Sequence, residues 1–286
     1  MNGKKNLSTK ETFDLAVQNH QKNNLHVAEN LYREILKTNP NHFESIFCLG
    51  TLLGQTKRFD LAKPLIQKAI QIQPNYAIAH SNLGNIQREL GEQQKAISSY
   101  QKAIQINPNY VDAHYNLGIV LHELGELQDA ISSFEKAIQI NPNYADVYNN
   151  LGIVLQELRE QQKAISCFQK SIQLNPNHAS AHNNLGITLN ELGERQKAIG
   201  CYEKAIQINP NYANAYYNLG NILQELWELQ KAKSCYEKLL NLDPTYKKGY
   251  SGYGNLLLKI TQHSKGLAYI RKGDGVIRFT QKDVKI

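Results

Sequence analysis

Asn82, Asn116, Asn150, Asn184 and Asn218 recur every 34 residues, each directly before a Leu-Gly pair. A primary amide carries donor hydrogens and a carbonyl acceptor, the two functions of one peptide unit. A row of such amides could hold an extended main chain whatever its side chains. Seven residues after each asparagine comes a carboxylate: Glu89, Glu123, Glu157, Glu191 and Glu225. That spacing is close to two turns of α-helix, which puts both rows on nearly one face. A carboxylate near a helix C-terminus opposes the macrodipole and needs a compensating cation. The cation is either a lysine of a neighbouring unit or a Lys or Arg on a ligand.

Other reactive side chains do not assemble into a catalytic pattern. The sequence holds no G-x-x-x-x-G-K-[ST], H-E-x-x-H, G-x-S-x-G or C-x-x-C, so phosphate-loop, zinc-hydrolase, serine-hydrolase and dithiol chemistry lack their usual carriers. Cys167, Cys201 and Cys235 are spaced by one repeat. Equivalent positions in stacked units lie farther apart than the ~7 Å Cα separation that a disulfide tolerates. Isolated thiols are expected, and Ser99 and Ser133 at the same place mark a small-residue position. No catalytic residue, no cofactor and no metal site is expected.

The elements that position these side chains are set by a period. Seven of eight prolines, Pro40, Pro74, Pro108, Pro142, Pro176, Pro210 and Pro244, stand 34 residues apart. Self-similarity at that length marks a solenoid, in which each unit packs on its neighbours. In the unit from Ala77, the spacing of Leu83, Ile86 and Leu90 predicts one amphipathic helix, and that of Ala96, Ile97, Tyr100, Ala103 and Ile104 a second. Gly91 predicts a left-handed helix stop between them. Asn107-Pro108-Asn109 predicts a break whose side chains cap the next helix. Arg159 and Trp227 stand where Gly91, Gly125 and Gly193 do, a strained place for a side chain. Pro64 is expected in the first turn of its helix, where proline is tolerated.

The pattern of Leu-Gly, second-helix alanine (Ala96, Ala130, Ala164, Ala198, Ala232), aromatic (Tyr32, Tyr100, Phe134, Phe168, Tyr202, Tyr236) and closing proline resembles the tetratricopeptide repeat (TPR) family. The implied fold is all-α, a right-handed superhelical solenoid of antiparallel helix pairs with seven to eight units. The boundaries would be a polar lead at 1–8, then units at 9–42, 43–76, 77–110, 111–144, 145–178, 179–212 and 213–246. A degenerate capping unit at 247–273 and a basic tail at 274–286 would follow. The resemblance implies that first helices line a concave groove. It would place Asn82, Asn116, Asn150, Asn184 and Asn218 there with Asn85 and Asn221, joined by Tyr115, Asn149, Asn183 and Tyr217 for stacking or hydrogen bonds. The array is similar to that of the O-GlcNAc transferases, which hold polypeptide backbones on an asparagine ladder at the matching place; no catalytic domain of that kind is present. Asn-Leu-Gly is also widespread in the family, so inherited packing is the competing reading of the ladder. His80, His114 and His182, with Tyr148, Tyr216 and Tyr250, stand where the family has tryptophan and are expected to pack as rings. Trp227 is expected to cover the edge of the next unit.

Charge separates the remaining functions. Three lysines fall in residues 1–10, and residues 245–286 carry nine basic side chains against two aspartates. Between them, 20 basic residues face 23 acidic ones, so the net charge of +7 belongs to the ends. A uniformly basic nucleic-acid-binding array is not indicated. No apolar run reaches the ~20 residues of a membrane helix, and no signal peptide is evident, so a cytoplasmic protein is expected. The reading is a non-catalytic scaffold for an extended or disordered protein segment. The alternatives are a recognition subunit for a separate transferase, and docking of the basic end on nucleic acid or an anionic membrane. Val276, Ile277 and Phe279 are expected to fold back as a lid over the last helix pair, with pairing to a partner strand as the alternative.

Overall fold

The computed structural model describes residues 7–275. All sixteen regular elements among them are α-helices, and the residues divide into two compact units. The first, within residues 1–142, holds α1 (Thr9–Gln21), α2 (Leu25–Thr38), α3 (Phe43–Gln55), α4 (Phe59–Ile72), α5 (Ala77–Glu89), α6 (Gln93–Ile106), α7 (Val111–Glu123) and α8 (Leu127–Ile140). The second, within 143–286, holds α9 (Ala145–Glu157), α10 (Gln161–Leu174), α11 (Ala179–Glu191), α12 (Arg195–Ile208), α13 (Ala213–Glu225), α14 (Leu229–Leu242), α15 (Lys247–Lys259) and α16 (His263–Asp274). In each unit a helix packs most closely on its partner in the pair and then on the next pair. Odd-numbered helices also touch, α3 on α5 on α7 and α9 on α11 on α13 on α15. The fold is therefore the all-α repeat array expected from the period. The stretch holding Val276, Ile277 and Phe279 lies outside the described residues.

The glycine of each Leu-Gly pair and the aromatic sixteen residues later explain each other. A Cβ placed on Gly84 would sit 2.6 Å from the Tyr100 ring, and one on Gly118 or Gly152 2.6 Å from Phe134 or Phe168. The ring occupies the space that a side chain there would take. Tyr100, Phe134, Phe168 and Tyr236 are fully buried as a result, and the alanines Ala96, Ala130, Ala164, Ala198 and Ala232 pack at zero exposure beside them. In the last pair the same device is carried further. A Cβ on Gly254 would meet the Gly266 carbonyl at 2.7 Å, so glycine at 266 in place of alanine lets α16 close directly on α15.

The turns within pairs follow one geometry. The Gly91 N–H donates to the Arg88 carbonyl at 2.9 Å and the Glu92 N–H to that of Gln87 at 2.8 Å, a left-handed closure that satisfies the helix's last carbonyls. Arg159 (φ 61°) and Trp227 (φ 62°) adopt this left-handed conformation without being glycine, as do Asn23, Lys57 and Thr261.

Two expectations need correction. The asparagine that opens the Asn-Pro-Asn break does not cap the next helix. Its side chain accepts from the N–H two residues on, Asn107 from Asn109 and Asn175 from Asn177, both at 3.1 Å. This Asx turn consumes the acceptor locally, and the N-cap residue itself is Tyr76, Tyr110, Tyr144, Tyr212 or Tyr246. Pro64 is the sixth residue of α4, not in its first turn. It is exposed, so the carbonyl that loses its partner faces water.

Candidate functional site

The ladder asparagines lie where the odd-numbered helices meet, and in residues 143–286 they bond to one another. Asn218 Nδ2 donates to Asn183 Oδ1 at 2.9 Å, and Asn183 Nδ2 to Asn184 Oδ1 at 3.4 Å. Asn184 Nδ2 donates to Asn149 Oδ1 at 3.1 Å, and Asn149 Nδ2 to Asn150 Oδ1 at 3.2 Å. The result is a relay of five amides through α13, α11 and α9. Its members differ in exposure. Asn149 and Asn183 are 6% and 3% exposed, while Asn150, Asn184 and Asn218 are only half-buried. The expected flanking residues Asn149 and Asn183 are thus linkers beneath the ladder. Each amide offers two N–H donors and two acceptor lone pairs, so one bond in and one out leaves half of the capacity of Asn184.

In residues 1–142, Asn82 Nδ2 donates to Thr51 Oγ1 at 3.0 Å. Asn116 lies half-buried on α7, and the Tyr115 ring packs 6.1 Å from Phe134. Tyr217 packs 5.5 Å from Tyr246.

Asn85 and Asn221 have a structural task. Tyr100 Oη donates to Asn85 Oδ1 at 2.7 Å, and Tyr236 Oη to Asn221 Oδ1 at 2.6 Å. Burial raises both phenol pKa values, so both hydroxyls stay protonated and can donate. Where the aromatic is Phe134 or Phe168, the asparagine position holds Ile119 or Ile153. That pairing was visible in the sequence as Asn with Tyr and Ile with Phe at a separation of 15; Ile187 with Tyr202 departs from it.

A cavity of about 460 Å³ adjoins Asn82 and Asn85 between α3 and α5, lined also by Gly50, Thr51, Gly54, Gln55, Lys57, Phe59, Ile86 and Glu89. A smaller one of about 260 Å³ lies between α13 and α15 beside Tyr217, Asn221 and Gly252. The periodic motif did not disclose either cavity, because the residues that open them break the period.

The carboxylate row is mostly exposed. Glu225 lies 3.4 Å from Arg195 Nη2, Glu191 accepts from Gln156 Nε2 at 3.4 Å, and Glu89 lies 3.3 Å from its neighbour Arg88. These are solvated contacts of small energetic weight. The histidine positions do more than pack rings. His80, His114 and His182 bond through Nε2 to the carbonyls of Pro74, Pro108 and Pro176 at 2.9, 2.9 and 3.1 Å. Tyr250 Oη reaches Pro244 at 3.1 Å. His and Tyr alternate here because both carry a donor at the same reach. Burial lowers the His182 pKa, which keeps the ring neutral. Trp227 does not cover its neighbour as expected. It stays 70% exposed, with the Lys259 ammonium of the next unit 5.4 Å from its ring centre.

Burial pushes the Cys235 thiol up to about 11, which makes it a poor nucleophile. No cluster of metal-ligating side chains occurs among the described residues, and no helix there is long and apolar enough to cross a membrane.

Family models described as TPR repeat match residues 84–125, 120–158 and 188–226. Models described as tetratricopeptide repeat match 44–76, 65–98, 145–178, 167–200 and 213–246. Among solved structures, MamA is similar at 31% identity and a TM-score of 0.52, over 57% of this chain and 95% of that one. YrrB, described as a TPR protein with an unusual peptide-binding site, is similar at 26% identity and 0.52, over 64% and 95%. PilF of Pseudomonas aeruginosa shares the fold at 23% identity and 0.67, over 76% and 97%. No curated protein matches the chain.

Proposed function

The chain belongs to the tetratricopeptide repeat family, and from that premise we propose that it is a non-catalytic scaffold that holds an extended polypeptide segment along its asparagine-bearing helices. The observation that carries this reading is the amide relay from Asn218 to Asn150. Bonds within the relay orient each amide and reduce its rotamer freedom before a ligand arrives, which lowers the cost of binding. Asn184 keeps half of its donor and acceptor capacity for a peptide main chain, and Asn218 keeps one N–H and its carbonyl oxygen. The peptide-binding site of YrrB supports the same ligand class. The exposed carboxylates Glu123, Glu157, Glu191 and Glu225 along these helices favour segments with Lys or Arg. A role as recognition subunit for a separate transferase rests on the likeness to O-GlcNAc transferase arrays alone.

The test is selection from a random dodecapeptide library by the full chain and by an Asn116→Ala, Asn150→Ala, Asn184→Ala variant. The wild type is expected to retain peptides with little sequence bias beyond basic residues, and the variant to lose them at unchanged helicity. Equal retention by both would remove the ladder from the mechanism.

A further inference from the structure

The cavity between α3 and α5 is widened at Gly54. Gly54 stands where successive units carry Arg88, His122, Gln156, Asn190 and Gln224. Each of those places a long side chain at this point of a first helix; Gly54 places none. The space above it opens onto Ile86, whose Cγ1 lies 3.8 Å from where a Gly54 Cβ would stand. Phe59 and Gly50 complete an apolar wall. The volume of about 460 Å³ falls within the range of small-ligand sites.

The polar groups on this wall have defined directions. Asn82 spends an amide N–H on Thr51, so its carbonyl oxygen is the end left over. Asn85 spends its carbonyl on the Tyr100 hydroxyl, so its N–H groups are left over. No other hydrogen bond to either side chain occurs among the described residues. Three residues apart on one helix, the two side chains are neighbours. They present one acceptor and one donor, the complement of the N–H and C=O of one residue in an extended chain. Lys57 and Glu89 also line the cavity.

We propose that this cavity is an anchor site for one large apolar side chain of a bound segment, with Asn82 accepting from and Asn85 donating to that residue's own main chain. The inference rests on the reading of the array as a binder of extended segments and adds side-chain specificity at one position. An ionised side chain would have to give up hydration to lie against Ile86 and Phe59. A small one would leave the cavity unfilled and forgo most of the apolar burial that drives binding.

The smallest probe containing the required groups is N-acetyl-L-phenylalanine N-methylamide, compared with the N-acetyl-alanine analogue and with benzyl alcohol. Binding to the full chain is read by saturation transfer and by amide shifts in α3 and α5. The phenylalanine amide is expected to bind, with the alanine amide and benzyl alcohol each at least about tenfold weaker. Gly54→Ala keeps most of the cavity and should retain binding. Gly54→Gln puts a long side chain into the cavity and should abolish binding, while the melting temperature holds or rises because glycine is a poor helix former. Binding undiminished in Gly54→Gln overturns the site. Equal binding of benzyl alcohol overturns the main-chain role of Asn82 and Asn85. The library experiment separates this from the scaffold reading: dodecapeptides that depend on the ladder but ignore Gly54→Gln would leave the scaffold standing and remove the anchor, whereas a Gly54-dependent phenylalanine amide with no ladder-dependent peptide would do the reverse.

Discussion

Asn85 and Tyr100 form a pair whose energetics can be read by exchange with a natural alternative inside the same chain. Tyr100→Phe leaves the Asn85 carbonyl without its partner and should cost about 1 kcal/mol. Adding Asn85→Ile recreates the Ile119–Phe134 combination and should recover most of that loss. Denaturant unfolding of both single variants and the double gives the coupling; additive losses would mean that the hydroxyl bond contributes nothing. His182 makes a second prediction at this scale. Its folded pKa is lowered by burial from the ordinary value of 6.5. Above pH 6.5 the ring is neutral in both states, so the full stability is present. As pH falls below 6.5 the unfolded chain binds the proton first, and stability is lost until the folded pKa is passed. Melting curves from about pH 7.5 down to about pH 4.5 should show that decline, and His182→Gln should make it shallower; an identical slope in the variant would remove His182 as its cause.

At the level of elements, packing distance and turn conformation decide what is tolerated. Gly84→Ala forces a Cβ against the Tyr100 ring at 2.6 Å, whereas at Gly220 the same atom would meet Tyr236 at 3.1 Å. Overpacking of the first kind costs about 1–3 kcal/mol. Gly84→Ala, Gly118→Ala and Gly152→Ala should therefore lower the melting temperature more than Gly220→Ala, an order that a thermal shift series would reveal or refute. The turns behave in the opposite sense. Arg159 and Trp227 hold positive φ at a cost of about 1 kcal/mol, so Arg159→Gly and Trp227→Gly should each raise stability. The gain at Trp227 should be the clearer, because its ring buries little.

For the whole molecule, the contact pattern determines how structure is lost. Helices touch within pairs and between adjacent pairs, and no long-range contact ties the ends of either compact unit together among the described residues. Stability of such an array is close to a sum of unit and interface terms. Denaturant unfolding should be broad or multi-step, and in hydrogen exchange the end pair α1–α2 should open well before α5–α6. A single sharp transition with uniform protection would contradict this picture.

The prolines at 34-residue intervals, the Leu-Gly pairs and the alanines already imply a stack of helix pairs, because each is a local requirement: a break, a close approach, a small packing face. The same logic placed left-handed residues at Arg159 and Trp227. What sequence position could not supply is which amide meets which. Asn184 reaches Asn149 and Asn218 reaches Asn183, one linker residue off the ladder register, and only the offset between packed helices sets that partnership. The cavity at Gly54 is decided at the same level. A glycine in a helix reads as a mild defect when taken alone. It becomes an opening because α5 brings Ile86, Asn82 and Asn85 beside a position that carries no side chain. Periodicity reports what the units share, and the features that distinguish one stretch of this array from the next come from departures whose meaning depends on the neighbour packed against them.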